Sequence, residues 1–128
     1  MNKFITLLVM IFMHITDDFY LQGLLANMKQ KSWWKIHASD NLYKYDYIAA
    51  LLCHAFSWSF MVHAPIFILY TFGLLKLNFI TTFLLFISTI IIHAYIDDLK
   101  ANKKKINLII DQSCHLIQVL ALWIIYTF

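Results

Sequence analysis

Three pairs of histidine and aspartate stand four residues apart within otherwise apolar stretches of the sequence. The pairs are His14 with Asp18, His93 with Asp97, and Asp111 with His115. Residues four apart on an α-helix share one face about one turn apart, so each pair presents an imidazole and a carboxylate to the same neighbour. His54 is a further histidine in an apolar stretch, with Ala50 where an acid would complete a fourth pair.

Imidazole and carboxylate together form a ligand set for zinc, manganese or iron. The candidate ligands exceed what one tetrahedral zinc ion takes, which predicts either two ions or one ion with carboxylates that orient the imidazoles. We predict a divalent transition metal, zinc first, held by His14, Asp18, His54, His93, Asp97, Asp111 and His115. Two other interpretations stay open: interhelical hydrogen bonds without metal, and a pathway for protons or cations.

Helices that span a membrane are the elements expected to position these residues. Of the 128 residues, 62% are hydrophobic and 13% are charged, a balance that excludes a disordered chain and argues strongly against a soluble monomer. We predict one all-α domain, a four-helix bundle with spans of about 20 residues each at 4–25, 47–74, 77–96 and 106–128. The two cysteines give no disulfide framework.

The lysines predict how the bundle is oriented. All ten cations are lysine, and eight of them fall in the connections 26–46 and 97–105. Positively charged connections stay in the cytoplasm, so both termini are expected outside a bacterial inner membrane. The aspartate of each pair then lies nearer the cytoplasm, with its histidine about one turn, roughly 6 Å, deeper. His54 falls at the histidine level, which predicts four imidazoles in one layer and three carboxylates in the next.

Several polar neighbours are candidates for binding a substrate or supporting the ligands. Lys29, Lys31 and Lys100 are expected to hold a phosphate, with snorkelling towards the headgroups as the alternative for Lys100. Gln22 and Gln118 each follow a predicted ligand by about one turn and either support the site or join helices. The acids directly beside the paired acids, Asp17 and Asp98, either join the site or face headgroups or water.

Four segments occur in a fixed order: HITDDFYLQ (14–22), KQKSWW (29–34), HAYIDDLK (93–100) and DQSCHL (111–116). Together they resemble a family of small bacterial and phage membrane proteins that is classified only as a domain of unknown function. The resemblance implies an integral membrane protein without an established activity. It also implies that Gln112 supports the ligands. The stretch 37–46 is longer and more polar than the family's pattern.

Three functions are compatible with these patterns. The first is a metal-dependent hydrolase acting on a lipid headgroup or another phosphate-bearing substrate, with a general base drawn from Asp18, Asp97 and Asp111. The second is a transporter or channel for metal ions or protons. The third is a structural or regulatory membrane protein, such as a phage factor, with a non-catalytic layer. The expected partners are the lipid bilayer and its anionic headgroups; a homo-oligomer is compatible and nucleic acid is not expected.

Overall fold

A computed structural model describes residues 2–128, which form helices, turns and loops without a β-strand. Helix α1 (Lys3–Ile15) continues directly as a π-helix (Thr16–Leu21). Two short helices, α2 (Leu25–Met28) and α3 (Lys31–His37), and a 3-10 turn (Asn41–Tyr43) follow. The long helices α4 (Asp46–Thr71), α5 (Phe79–Ala101) and α6 (Leu108–Thr127) complete the chain.

Four helical segments are long and apolar enough to cross a membrane. They are Lys3–Leu21, Asn41–Thr71, Phe79–Ala101 and Leu108–Thr127. Helices α1, α4, α5 and α6 form a ring. In this ring α1 packs against α4, α4 against α5, α5 against α6, and α6 against α1. The predicted all-α bundle of four membrane-spanning helices is therefore confirmed, while the membrane side that each end faces stays a prediction.

The two ends of the bundle differ in composition. The connections 22–45 and 102–107 meet at one end, which we call the lysine end, and Asn102 Nδ2 donates there to the carbonyl of Lys29 at 3.1 Å. The turn 72–78 lies at the opposite end, together with the start of α1 and the end of α6. There Trp123 Nε1 donates to the carbonyl of Lys3 at 2.8 Å.

Three helical spans end at residues other than those predicted, and the first of them ends at Leu21 rather than at 25. Helix α5 continues past the predicted limit at Ile96 to Ala101, because no glycine or proline interrupts 97–101. The connection after it therefore spans 102–107, and Lys104 within it adopts a left-handed φ of 52°. Helix α4 ends at Thr71 rather than at 74, because Gly73 takes a φ of 69° that closes a helix C-terminus.

The interior changes character along the bundle axis. Its apolar cluster occupies the half away from the lysine end and consists of Met10, Trp58, Val62, Ile66, Val119, Leu122 and Tyr126. Large apolar side chains such as Phe12, Phe60 and Ile117 are exposed on the outer surface. In a bilayer this surface faces lipid, and the polar side chains at the lysine end are kept inside the bundle.

Candidate metal centre

Two consecutive acids enter the interior from the π-helix that follows α1. Asp17 and Asp18 are only 1% and 8% exposed. Consecutive side chains of an α-helix point about 100° apart, and the wider turn of a π-helix, with its i→i+5 bonds, reduces that angle so that both carboxylates face inwards. Asp98 is the corresponding neighbour of an acid on α5, and it instead pairs with Lys103 at the surface, at 3.1 Å.

The structure brings the four predicted histidines into contact around one indole. The ring of His93 stacks on Trp58, with centroids 4.2 Å apart, and on His115, at 4.1 Å, and the centroids of Trp58 and His115 are themselves 5.6 Å apart. His54 meets His93 edge-on at 5.0 Å. His14 lies at the edge of Trp58, whose Nε1 donates to His14 Nδ1 at 2.8 Å, and its ring is 6.0 Å from that of His115. All five side chains are almost completely buried.

Three overlapping groups of these residues have ligand atoms within 4.8 Å of one another. They are Asp18 with His54 and His93, His93 with Asp97 and His115, and Asp18 with Asp111 and His115. Any two of the groups share a residue, so they form one continuous cluster rather than three separate sites. Every member is buried. This cluster could hold a metal ion.

The surroundings of His115 favour a proton or a metal ion between its ring and two carboxylates. Its Nδ1 lies 3.3 Å from Oε1 of Gln118, an oxygen that only accepts, so Nδ1 carries a hydrogen. In the neutral ring Nε2 then presents a lone pair to Asp97 Oδ1 at 3.4 Å and to Asp111 Oδ1 at 3.5 Å. A lone pair facing two carboxylates is repelled unless a proton or a metal ion lies between them.

His54 is oriented in the same way from the other side of the cluster. Its Nδ1 lies 3.6 Å from Asp17 Oδ2, and the other oxygen of Asp17 accepts from Ser57 Oγ at 2.6 Å. A carboxylate behind one ring nitrogen directs the other towards a metal position. Here Nε2 is directed to Asp18 Oδ1 at 3.2 Å and to Asp97 Oδ2 at 3.5 Å. Asp17 therefore places its carboxylate charge beside His54 Nδ1, although the two atoms are beyond hydrogen-bond distance.

His14 does not have a nitrogen free to bind metal. An indole N–H only donates, so His14 Nδ1 is an acceptor, and in the neutral ring its Nε2 carries the hydrogen. His14 also lies outside the three ligand groups. The sequence predicted it as a ligand; the structure places it outside the candidate ligand groups, where it accepts a hydrogen bond from the Trp58 indole that stacks on His93.

The buried charge of the cluster is not balanced within the described part of the chain. The buried carboxylates are those of Asp17, Asp18, Asp97 and Asp111. Two lysines offset them: Lys29 Nζ lies 2.6 Å from Asp97 Oδ2, and Lys100 pairs with Asp111. With neutral imidazoles a charge of minus two remains, which one divalent cation would neutralise. Burying a charge without a partner is costly, so this balance favours a bound cation.

A polar cavity of about 540 Å³ lies beside the acids at the lysine end. Its walls include Asp18, Phe19, Gln22, Lys29, Lys100, Lys104, Leu108 and Gln112. Gln22 Nε2 donates to Asp18 Oδ1 at 2.9 Å, and Gln112 donates to the other oxygen. Of the three predicted glutamines, Gln22 and Gln112 thus support Asp18, the acid that lines the cavity. Asp97 and Asp111, each fully buried, are absent from this wall.

Lys31 lies apart from the other two lysines that were expected to bind phosphate. Its Nζ sits 4.7 Å above the ring of Tyr47, and it lines a different cavity, near Lys35. The backbone amide of Lys31 donates to Asn102 Oδ1 at 2.7 Å, and Asn102 Nδ2 donates to the carbonyl of Lys29. Asn102 therefore fixes the segment that carries Lys29 against the end of α5.

No protein-family model, no curated protein sequence and no solved structure matches this chain. The resemblance of the four motifs to an uncharacterised membrane family therefore stays a prediction.

Proposed function

We propose that the protein is a membrane-embedded, metal-dependent hydrolase that acts on a phosphate-bearing amphiphile, such as a lipid headgroup. One observation carries this proposal: buried imidazole and carboxylate atoms converge beside a cavity that is lined in part by lysine side chains. Zinc is the expected ion, and manganese and iron share the ligand preference. When bound, the metal would supply an acidified water and polarise a phosphoryl oxygen.

The residues around the cluster divide into ligands and a base. His54, His93 and His115 supply nitrogen atoms, and the buried Asp97 and Asp111 supply oxygen atoms. Asp18 belongs to two of the three ligand groups, and we assign it as the general base rather than as a ligand, because it lines the cavity where a substrate and a water would meet. The donated hydrogen bonds of its two glutamine neighbours fix its carboxylate in place.

The lysines that line the cavity are the reason for proposing a substrate that carries a phosphate. An ammonium group has three donors, and the ion pairs of Lys29 and Lys100 use one carboxylate oxygen each, so further donors remain for a phosphate. Phe19 and Leu108 line the same cavity and are exposed on the outer surface of the bundle. An anionic headgroup attached to an apolar chain matches both the lysine and the apolar side chains that line the cavity.

We also propose that the lysine end faces the cytoplasm across a bacterial inner membrane. The lysine-rich connections support this orientation, because positively charged connections are retained on that side. Anionic headgroups of the cytoplasmic leaflet would then lie next to the cavity.

Metal analysis tests the first part of the proposal. Protein purified in lipid nanodiscs should contain about one divalent ion per chain, the number that neutralises the buried charge. His93→Ala should remove most of the metal, whereas His37→Ala should not, because His37 is exposed on α3. Wild-type protein without metal, together with an unchanged fold of His93→Ala, would contradict the proposal and favour a structural role.

A lipid assay tests the second part. The metal-loaded protein should cleave phosphatidic acid or phosphatidylglycerol in vesicles, detected by phosphate release and mass spectrometry. Asp18→Asn should lower turnover by about 10²–10⁴-fold while metal is retained. Asp40→Asn is the matched control, because Asp40 is exposed in the connection at the lysine end. Metal-loaded protein that cleaves neither lipid would refute the proposed substrate class.

A further inference from the structure

Buried polar side chains continue from the metal centre towards the opposite end of the bundle. Ser59 and His63 are completely buried, and Tyr126 is 8% exposed. Within residues 2–128, four enclosed atoms along this direction have no hydrogen-bond partner: Ser59 Oγ, His63 Nε2, Gln118 Nε2 and Tyr126 Oη. One such atom costs about 1–3 kcal/mol. Four of them in one half of the interior point to internal water.

These side chains are distributed along the bundle axis. Gln118 adjoins the metal centre through its contact with His115 at 3.3 Å. His63 follows His54 by nine residues on α4, and Tyr126 follows His115 by eleven on α6, rises of about 14 and 16 Å. The rings of His63 and Tyr126 then lie at one level, with centroids 5.7 Å apart.

The series reaches the surface at the end of the bundle opposite the lysines. Tyr126 lines a small cavity of about 120 Å³ together with Lys76, Asn78, Thr81 and Thr82. Those residues belong to the turn 72–78 and the first turn of α5. Polar groups are therefore present from the metal centre to the opposite end.

His63 has the atoms to accept a proton and release it again. Its Nδ1 lies 2.8 Å from the carbonyl of Ser59, which only accepts, so Nδ1 carries a hydrogen and Nε2 has the lone pair. A proton from one water would form a bond to Nε2, giving an imidazolium, and would leave from the same nitrogen to the next water. The Tyr126 hydroxyl can donate one hydrogen while accepting another. Atoms and charge are conserved in each transfer.

We propose that Ser59, His63, Gln118 and Tyr126 line a water-containing path that conducts protons between the metal centre and the opposite membrane face. Ser59 and His63 are one helical turn, about 6 Å, apart, a gap that one bridging water spans. The apolar neighbours Val62, Phe86 and Leu122 keep the path narrow. The inference goes beyond the proposed hydrolysis and does not rest on it, because the path requires no bound metal.

Proton flux into vesicles tests the path directly. The full chain is reconstituted into phosphatidylcholine–phosphatidylglycerol vesicles that contain a pH-sensitive dye, and a potassium diffusion potential drives proton entry. Wild-type vesicles should acidify at least about tenfold faster than protein-free vesicles. Wild-type rates equal to those of protein-free vesicles would overturn the proposal.

Variants locate the flux within the bundle. His63→Phe keeps an aromatic ring but removes Nε2, and it should reduce the rate to that of protein-free vesicles. Tyr126→Phe removes only a hydroxyl and should also slow conduction, so it tests the path even where His63→Phe does not fold. His37→Phe should conduct like the wild type, since His37 is exposed on α3. If His63→Phe and Tyr126→Phe both conduct at the wild-type rate, the proposal is overturned. The metal content of the same variants shows whether their metal centre is intact.

Discussion

Replacing Lys29 by methionine should destabilise the metal-free protein and strengthen its binding of a divalent cation. Lys29 Nζ lies 2.6 Å from Asp97 Oδ2, and the two side chains are only 6% and 1% exposed. Methionine keeps the apolar stem of the lysine and removes its charge. Asp97 then keeps a buried negative charge whose other close neighbours include the imidazoles of His54 and His115.

The structure sets the size of both effects. Removing one partner of a buried ion pair costs about 3–5 kcal/mol of unfolding free energy. The same change raises the uncompensated charge of the site from minus two to minus three, so a cation should bind more tightly. The wild type gains about 2.7 kcal/mol from a divalent ion at 100 times its dissociation constant, and Lys29→Met gains about 1.4 kcal/mol more for each tenfold by which it binds the ion more tightly, which recovers part of the loss. A cluster that never binds metal would show the loss without the recovery.

Unfolding in one detergent, with a chelator and then with zinc or manganese, measures both effects. Lys35→Met is the matched control, because Lys35 is exposed on α3 and its loss changes the net charge equally. Lys29→Met should unfold far more easily than the control in chelator and approach it when metal is added. The reasoning is refuted if Lys29→Met matches the wild type in chelator, or if metal leaves its stability unchanged.

Three further predictions follow from single features. Asp17→Asn should lower zinc affinity about 10–100-fold by removing the carboxylate charge beside His54 Nδ1, whereas Asp98→Asn at the surface should not, as calorimetric titration would show. Gly73→Ala should cost about 1 kcal/mol in unfolding experiments, because its φ of 69° strains any side chain although space is free around it. Lys103→Cys should resist a membrane-impermeant thiol reagent in intact cells, and labelling there would reverse the predicted orientation.

The fold and the histidine–aspartate pairs could be predicted because both follow from helix periodicity. Apolar runs of about 20 residues require spanning helices, and the spacing of Asp111 and His115 fixes them on one face whatever the neighbouring helices do. His54 could be assigned by its depth alone, since residues at equal distances along antiparallel helices lie at equal levels. The structure places it against His93.

The remaining parts of the site depend on tertiary contacts that the local pattern does not contain. The indole of Trp58 could pack or donate, and only the fold shows that it stacks on His93 and donates to His14. The pairing of Lys29 with Asp97 joins residues far apart in the chain. Asn102 is an ordinary residue for a helix end, and nothing in the sequence indicates that it holds a loop in place.

The π-helix at Thr16–Leu21 makes the site depend on the number of residues in a segment as well as on their identity. A π-turn corresponds to an α-helix with one residue added. Deleting a single residue from this segment would restore the α-helical phase, and Asp17 and Asp18 could no longer both face inwards. His54 would then lose the carboxylate at one of its two nitrogens, although every ligand side chain outside the segment would be unchanged. The cluster is therefore sensitive to a shift in helical register that substitution experiments would not reveal.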